Sequence, residues 1–404
     1  MTTTYYRRFL EQRVSLSVPS KKKIALLFGA RQTGKTTLLR HLTGIEQAHF
    51  INLQDRRLRR RYEMDSGLFL RELEARPEIG TIIIDEIQKV PELLDDVQLL
   101  YDQDPNRRRF ILTGSSARRL RRGSVNLLPG RSIAYALTPV LQAECRPCTL
   151  LPVALPPQPR FPTRSLEDCL LFGSLPGLFS EGRDSWADTL ATWADLYIEN
   201  EIRQENIVRD MGAFSRFLEI AALEAGRIVN YTKMASVVGV SVNTLRNFYQ
   251  VLEDTFLGMR VPSFIATRRR AAVAPRFVLC DLGIRHALAG LRMTDDLIRV
   301  GAGELFEQWV ISELCHRTAT LGAGYSVSNW RTTGGAEVDV ILSTPGEVIP
   351  VEIKWTDSPR PSDARHVETF LDLHPQARKG YVVCRSPTRQ VLTPRVTALP
   401  WNVF

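Results

Sequence analysis

The sequence predicts an α/β protein of several domains: a parallel sheet flanked by helices, then a helical region, then a smaller C-terminal α/β unit. Three observations predict it. Between residues 21 and about 145, short apolar runs alternate with helical patterns, as a parallel sheet requires when each strand is returned by a crossover. The octapeptide Gly29-Ala30-Arg31-Gln32-Thr33-Gly34-Lys35-Thr36 separates the first run from the first helix and fits G-x-x-x-x-G-K-[ST]. Beyond residue 330, a hairpin pattern carries charged residues at alternate positions. At 404 residues, 44% of them hydrophobic, the chain can fill roughly two to four cores.

The expected strands of the first sheet are residues 24–28, 49–53, 81–84, 109–113 and 132–137. After the first, the glycines of the octapeptide let backbone N–H groups turn inward on phosphates, and Thr36 and Thr37 open a helix whose positive N-terminus faces them. Residues 29–37 are therefore the expected nucleotide cradle, with Lys35 reaching the β- and γ-phosphates of ATP and Thr36 ligating Mg²⁺. The third strand ends in Asp85-Glu86, two carboxylates after an isoleucine run. Carboxylates in such a place need a partner, and the pair suits Asp85 as a magnesium holder through water and Glu86 as the group that polarises the attacking water.

Composition bounds the rest. No apolar stretch approaches the roughly 20 residues of a membrane span, and residues 1–8 lack a secretory core, so a cytoplasmic location without membrane contact is expected. Six cysteines are too sparse for a disulfide framework, and Cys145 and Cys148 lack the second pair a zinc site needs. The net charge of +9 points to an acidic partner. Two arginine clusters concentrate it, Arg56-Arg57-Leu58-Arg59-Arg60-Arg61 and Arg118-Arg119-Leu120-Arg121-Arg122, which serve either as solvated surface or as polyanion contacts.

Residues 147–162 are rich in proline and read as a linker, and 166–210 are helical with a break at 172–177. Expected domain limits are 1–150 for the nucleotide-binding core, 151–210 for linker and helical lid, 211–270 for a winged-helix unit and 271–404 for the C-terminal domain. Within the third, residues 231–252 form helix, Gly239 turn, Ser241 N-cap and second helix. Residues 256–264 supply a candidate wing, followed by Arg268-Arg269-Arg270. Asn243, Arg246 and Asn247 suit nucleic-acid contact, and packing against protein is the competing use.

Near the C-terminus, Glu337 and Asp339 share one face of a strand, and Glu352 and Lys354 share one face of the next apolar run. If those strands are neighbours, Asp339, Glu352 and Lys354 converge as a magnesium-dependent nuclease requires: carboxylates for the metal, and a lysine to activate water or stabilise the phosphorane. Glu307 adds a third carboxylate. An inactive fold with the same residues is the alternative.

With the octapeptide, residues 84–91, 112–116, 129–131, 281–285 and 303–310, and the Glu337/Asp339 and Glu352/Lys354 pairs, the chain resembles a family of prokaryotic AAA+ ATPases. Their C-terminal region is a domain of unknown function with a PD-(D/E)xK, restriction-endonuclease-like fold. The resemblance implies that Thr113, or Ser115 beside it, is the polar sensor of the γ-phosphate. It implies that Arg131 is an arginine finger acting on a neighbouring subunit, hence a ring or other oligomer, hexamer-like. It places residues 56–61 at a central pore, an electrostatic funnel for a phosphate backbone. The expected function is Mg²⁺-dependent ATP hydrolysis acting on DNA. A nucleotide-dependent switch that binds a protein partner and an ATP-gated endonuclease are the competing readings.

Overall fold

Five strands, β1 (Ile24–Phe28), β2 (His49–Asn52), β3 (Thr81–Asp85), β4 (Arg109–Gly114) and β5 (Ser132–Ala136), form one parallel sheet in the order β2-β3-β4-β1-β5. The computed structural model describes residues 4–16, 23–42, 47–116, 128–153, 155–203, 208–264 and 274–404; the second arginine cluster and Arg268–Arg270 lie outside them. Each expected strand of this sheet is present. β1, β3 and β4 read as continuous apolar runs because both their faces are covered, and strand alternation divides them between two cores. Leu26, Phe28, Ile82, Ile84, Phe110 and Leu112 enter one core. Ala25, Leu27, Ile83 and Ile111 enter the other.

Helices α1 (Phe9–Leu16), α2 (Lys35–His41), α3 (Arg56–Met64), α4 (Leu68–Glu74) and α5 (Leu93–Gln103) complete this unit, which comprises residues 5–138 and 254–256. Phe256 stacks on Phe28 at 5.8 Å between ring centroids.

The second compact unit contains residues 139–253 and 257–404. Its helical part comprises α6 (Gln142–Cys145), α7 (Leu166–Phe172), α8 (Trp186–Tyr197), α9 (Met211–Leu223), α10 (Tyr231–Val238), α11 (Val242–Asp254), α12 (Leu282–Leu288) and α13 (Asp295–Leu321). Strands β6 (Gly258–Val261) and β7 (Arg276–Leu279) pair antiparallel, so their sheet spans the limit expected at residue 270. A six-stranded mixed sheet follows, β8 (Ser326–Arg331), β9 (Glu337–Ser343), β10 (Val348–Ile353), β11 (Gly380–Cys384), β12 (Gln390–Val391) and β13 (Val396–Pro400), in the order β12-β13-β11-β10-β9-β8. The expected hairpin is β8–β9, and β9 lies beside β10, with Val340 opposite Val351. Helix α14 (Arg365–Leu373) buries Val367, Phe370 and Leu371 in the core beneath this sheet.

The expected helix-turn-helix is α10 and α11. Gly239 ends α10 in the left-handed region at φ 80°, where a side chain would be strained, and the Ser241 hydroxyl accepts from Thr244 N at 3.1 Å.

Residues 281–285 owe their pattern to packing. The buried Asp281 caps α12 by accepting from Ile284 N at 3.1 Å, and its other oxygen accepts from Ser174 N at 2.6 Å. Burial raises its pKa above the usual carboxylate range despite these bonds. Gly283 lets α12 close on α7, since a Cβ there would lie 2.2 Å from Phe172 O. Farther along, the fully buried Arg317 donates to Glu313 at 2.7 Å and to the carbonyls of Leu150 and Phe404 at 2.8 and 2.7 Å. Glu313 thus meets its charge without solvent. Gly283→Ala is expected to lower stability by about 1–3 kcal/mol in chemical denaturation through overpacking; an unchanged midpoint would show that the two helices separate freely.

Candidate functional site

The octapeptide joins the C-terminal end of β1 to α2, the position at which open α/β sheets bind ligands. Gly29 is required by close approach: a Cβ there would meet Leu137 O at 2.2 Å, because Leu137 N bonds Phe28 O at 2.7 Å. Gly34, at φ 90°, sets the entry to α2. Gln32 holds a positive φ of 60° and is exposed with Thr37, and Arg31 is half-buried. Lys35 is buried, with Nζ donating to Gly29 O at 2.8 Å and Ala30 O at 2.9 Å, and Thr33 Oγ1 also donates to Ala30 O at 2.9 Å. The loop is thus held in a turned conformation around its own lysine.

A residue without a motif supports it from outside. Arg8 is buried and donates from Nη1 to Thr33 O at 3.0 Å and from Nη2 to Thr138 O at 2.9 Å. Its own backbone N donates to Glu11 Oε1 at 2.8 Å, which fixes the start of the chain against the loop. Nothing in the local sequence signals this role, since the partners are 25 and 130 residues away.

The carboxylates at the end of β3 are held differently. Asp85 Oδ2 accepts from Thr36 Oγ1 at 2.9 Å, and Oδ1 accepts from the Thr113 hydroxyl. Glu86 stands in the left-handed region at φ 61°, rare for a residue with a side chain, and its N donates to Thr113 Oγ1 at 3.3 Å. Its Oε2 accepts from Ser115 Oγ at 2.9 Å and from Gln88 Nε2, and Gln54 Nε2 lies 3.5 Å from Oε1. Burial would raise the Glu86 pKa, yet the Lys35 charge and the bonds from Gln88 and Ser115 outweigh it and hold the carboxyl below its usual range. Thr113 therefore meets Asp85, and Ser115 meets Glu86. Gln88 and Gln54 had no predicted role. The signal for Gln88 was Gly114, where a Cβ would lie 2.8 Å from Gln88 Oε1.

Arg131 precedes β5, whose Ser132 is paired with Ile24 at the start of β1. This is the N-terminal end of the strands, opposite the end that carries the octapeptide, and Arg131 is clamped there by Asp102, from Nε at 2.6 Å and Nη2 at 2.9 Å. It is not brought to the loop of its own chain. The first arginine cluster forms α3, capped by Asp55, which accepts from Arg57 N at 2.8 Å. Arg61 pairs with Glu72 at 3.0 Å and Arg59 with Glu63 at 3.8 Å. Arg56, Arg57 and Arg60 are exposed and without an ion pair among the described residues. In the second unit Asn243, Arg246 and Asn247 are exposed on α11, with the Arg246 guanidinium 5.3 Å from the Tyr231 ring centroid.

Glu307, Asp339, Glu352 and Lys354 do converge, lining a cavity of about 550 Å³. Lys354 Nζ donates to Glu352 Oε1 at 2.7 Å, and Asp339 Oδ2 accepts from Ile353 N at 2.9 Å. Burial, then the charges of Glu352 and Glu307, push the Asp339 pKa well above the ordinary range. Burial raises Glu352 as well, against the pull of Lys354. The expectation of a divalent cation on Glu307, Asp339 and Glu352 meets an obstacle that sequence reasoning did not see. Arg276, on β7, ion-pairs with Glu307, with Glu337 at 3.3 Å and with Asp339 at 4.0 Å. Among the described residues, no three His, Cys, Asp or Glu side chains are gathered so as to hold a metal ion.

Fold and loop together define a P-loop ATPase of AAA type, and residues 21–146 match a family described as an AAA domain. Residues 163–295 and 302–404 match two domains of unknown function, DUF8612 and DUF4143, neither of which names a nuclease. Uncharacterized proteins of Mycobacterium tuberculosis and Mycobacterium bovis are 26% identical over 386 residues, covering 93% of this chain and 80% of each relative. Among solved structures, a Walker-type ATPase of Pyrococcus abyssi is 15% identical with a TM-score of 0.43, covering 69% of this chain and 94% of that one. A RuvB protein of Thermotoga maritima is 16% identical with a TM-score of 0.25, covering 63% and 85%. No helix among the described residues is long and apolar enough to cross a membrane.

Arg8→Met would leave the Thr33 and Thr138 carbonyls without their charged donor. We expect about tenfold weaker binding of an ATP analogue, measured by calorimetry, with a lower unfolding midpoint. Unchanged affinity would show that the loop holds its shape unaided.

Proposed function

We propose that the AAA domain hydrolyses ATP with Mg²⁺ within an oligomer and uses the cycle to move or remodel DNA. The observation that carries the hydrolytic part is the bonded chain Thr36–Asp85–Thr113 beside an ionised, three-sided Glu86. Its residues fit a divalent ion: the Thr36 hydroxyl and the Asp85 carboxylate already face each other at 2.9 Å, an oxygen pair of the kind Mg²⁺ takes. When bound, Mg²⁺ neutralises charge on the β- and γ-phosphates. Thr36 and Asp85 would hold it. Lys35 exchanges its loop carbonyls for phosphate oxygens, and the N–H groups of residues 29–36 close around them. Glu86 accepts the proton of the attacking water, held in position by Ser115 and Gln88. Thr113 keeps Asp85 in register with Thr36. Arg131 acts on the nucleotide of a neighbouring copy, released from Asp102 as the copies assemble.

The DNA reading is supported by the unpaired arginines of α3, which starts four residues after Asn52, the β2 partner of Asp85. Asn243 and Arg246 suit a second contact. A nucleotide-dependent switch with a protein partner is the alternative, favoured by the Arg276 pairs, which make the C-terminal cavity look built for something other than cleavage. The ATP-gated endonuclease, with Lys354 as its catalytic lysine, is the weaker reading for the same reason.

ATP hydrolysis measured with duplex, single-stranded and branched DNA, with Glu86→Gln as the inactive reference, tests the proposal. Stimulation of several-fold by one DNA form is expected, and a flat, slow rate with every form would favour the switch. The pH profile tests Glu86 separately. Its lowered pKa keeps the base ionised down to acidic pH, and removing its donors with Ser115→Ala or Gln88→Leu raises that pKa. The acidic limb of kcat should therefore move to higher pH; a limb that stays in place would remove Glu86 from the proton transfer.

A further inference from the structure

We propose that Arg276 is the resident cation of the C-terminal acidic cavity, neutralising Glu307, Glu337 and Asp339 in place of a divalent metal ion. Arg276 holds this place whether or not ATP hydrolysis is coupled to DNA.

The position of Arg276 is set by backbone, not by chance rotation of a surface side chain. It lies in β7, paired with Val261 on one side and bridged to Ile228 on the other. The neighbouring Phe277 donates from N to Arg227 O at 3.2 Å and accepts from Gly226 N at 2.7 Å. Its Cα cannot retreat without dismantling those ladders. The side chain is only 6% exposed, so its charge has to be answered from within the protein. The answer is the set of carboxylates lining the cavity: Nη1 meets Glu307, and Nη2 meets Glu337 at 3.3 Å and approaches Asp339 to 4.0 Å. Three acids from two elements, α13 and β9, are thereby tied to a third, β7.

Glu352 has its own cation. Lys354 bonds Glu352 at 2.7 Å, and Arg331 adds a third positive group 3.8 Å from Glu337. With Glu304, which pairs with Arg227 at 3.1 Å, five carboxylates line the cavity beside four cations, all supplied by the chain. A guanidinium and a hard divalent ion compete for the same oxygens: the ion draws several oxygens to about 2.0–2.6 Å in a closed shell, whereas the fork of Arg276 spreads Glu307, Glu337 and Asp339 around a planar group. Their arrangement accordingly presents no cluster of three ligands among the described residues. Lys354 and Glu352, which would serve cleavage beside a metal, form instead an ion pair through Oε1, with Oε2 left buried and unbonded.

The test is Mn²⁺ binding to the full chain without nucleotide, followed by the electron paramagnetic resonance of free Mn²⁺. Wild type, Asp339→Asn, Arg276→Gln and the double variant are compared, so that binding at Thr36 and Asp85 is common to all four. Wild type and Asp339→Asn are expected to bind alike. Arg276→Gln is expected to gain a site that the added Asp339→Asn removes, with a lower thermal midpoint that Mn²⁺ partly restores. Loss of Mn²⁺ on Asp339→Asn in the wild-type background would overturn the proposal, and so would an Arg276→Gln protein that gains no site. If Arg276→Gln does not fold, the comparison of wild type with Asp339→Asn still decides, and Arg276→Lys, which keeps the charge, should bind Mn²⁺ as wild type does.

Discussion

The carboxylate of Asp85 organises the ATPase unit. One oxygen takes the hydroxyl of Thr36 at the start of α2, the other takes the hydroxyl of Thr113 on β4, and its carbonyl takes Leu53 N at the end of β2 at 3.1 Å. Three chain segments that approach from different directions are thereby fixed to the end of one strand. Because Asp85 and Thr113 are buried, the bond between them is shut off from water, whereas the Thr36 bond is half-buried. The positions of Thr36, Lys35 and Glu86 all descend from this anchorage.

The same unit shows how a carboxylate is kept charged in a buried place. Glu86 has little solvent to stabilise it, and its ionised form rests on Lys35, Gln88 and Ser115. Its backbone sits at φ 61°, a conformation that aims the side chain back over the sheet edge toward those donors. Asp339, in the second unit, stands among acids instead, and burial with the charges of Glu352 and Glu307 raises its pKa well above the ordinary range, against the opposing charge of Arg276. Glu86, just past β3, and Asp339, within β9, are shifted in opposite directions because of what surrounds them.

That contrast also explains what could be read from the sequence. The five-stranded sheet, the phosphate loop, Asp85-Glu86, the α10–α11 pair and the β8–β9 hairpin were legible because each is a local signal: a period, a glycine spacing, a cap. The convergence of Asp339, Glu352 and Lys354 was legible too, since strand alternation and adjacency suffice to bring them together. Arg8, Gln88 and Arg276 were not. Arg8 reaches a carbonyl 130 residues on, and Arg276 meets carboxylates 31 and 61 residues away. An isolated arginine in an apolar strand looks like an edge residue facing water. Only the tertiary fold shows which carboxylates it faces.

The bonds from Lys35 to Gly29 O and Ala30 O have a further consequence. Any ligand entering the loop must win the ammonium group away from two neutral carbonyls. A polyphosphate does so readily, because charge-assisted bonds are roughly twice as strong as neutral ones. A nucleoside without phosphates offers the lysine nothing better than it has. The loop's turned conformation therefore rests on bonds that a polyphosphate can replace and a base or sugar cannot.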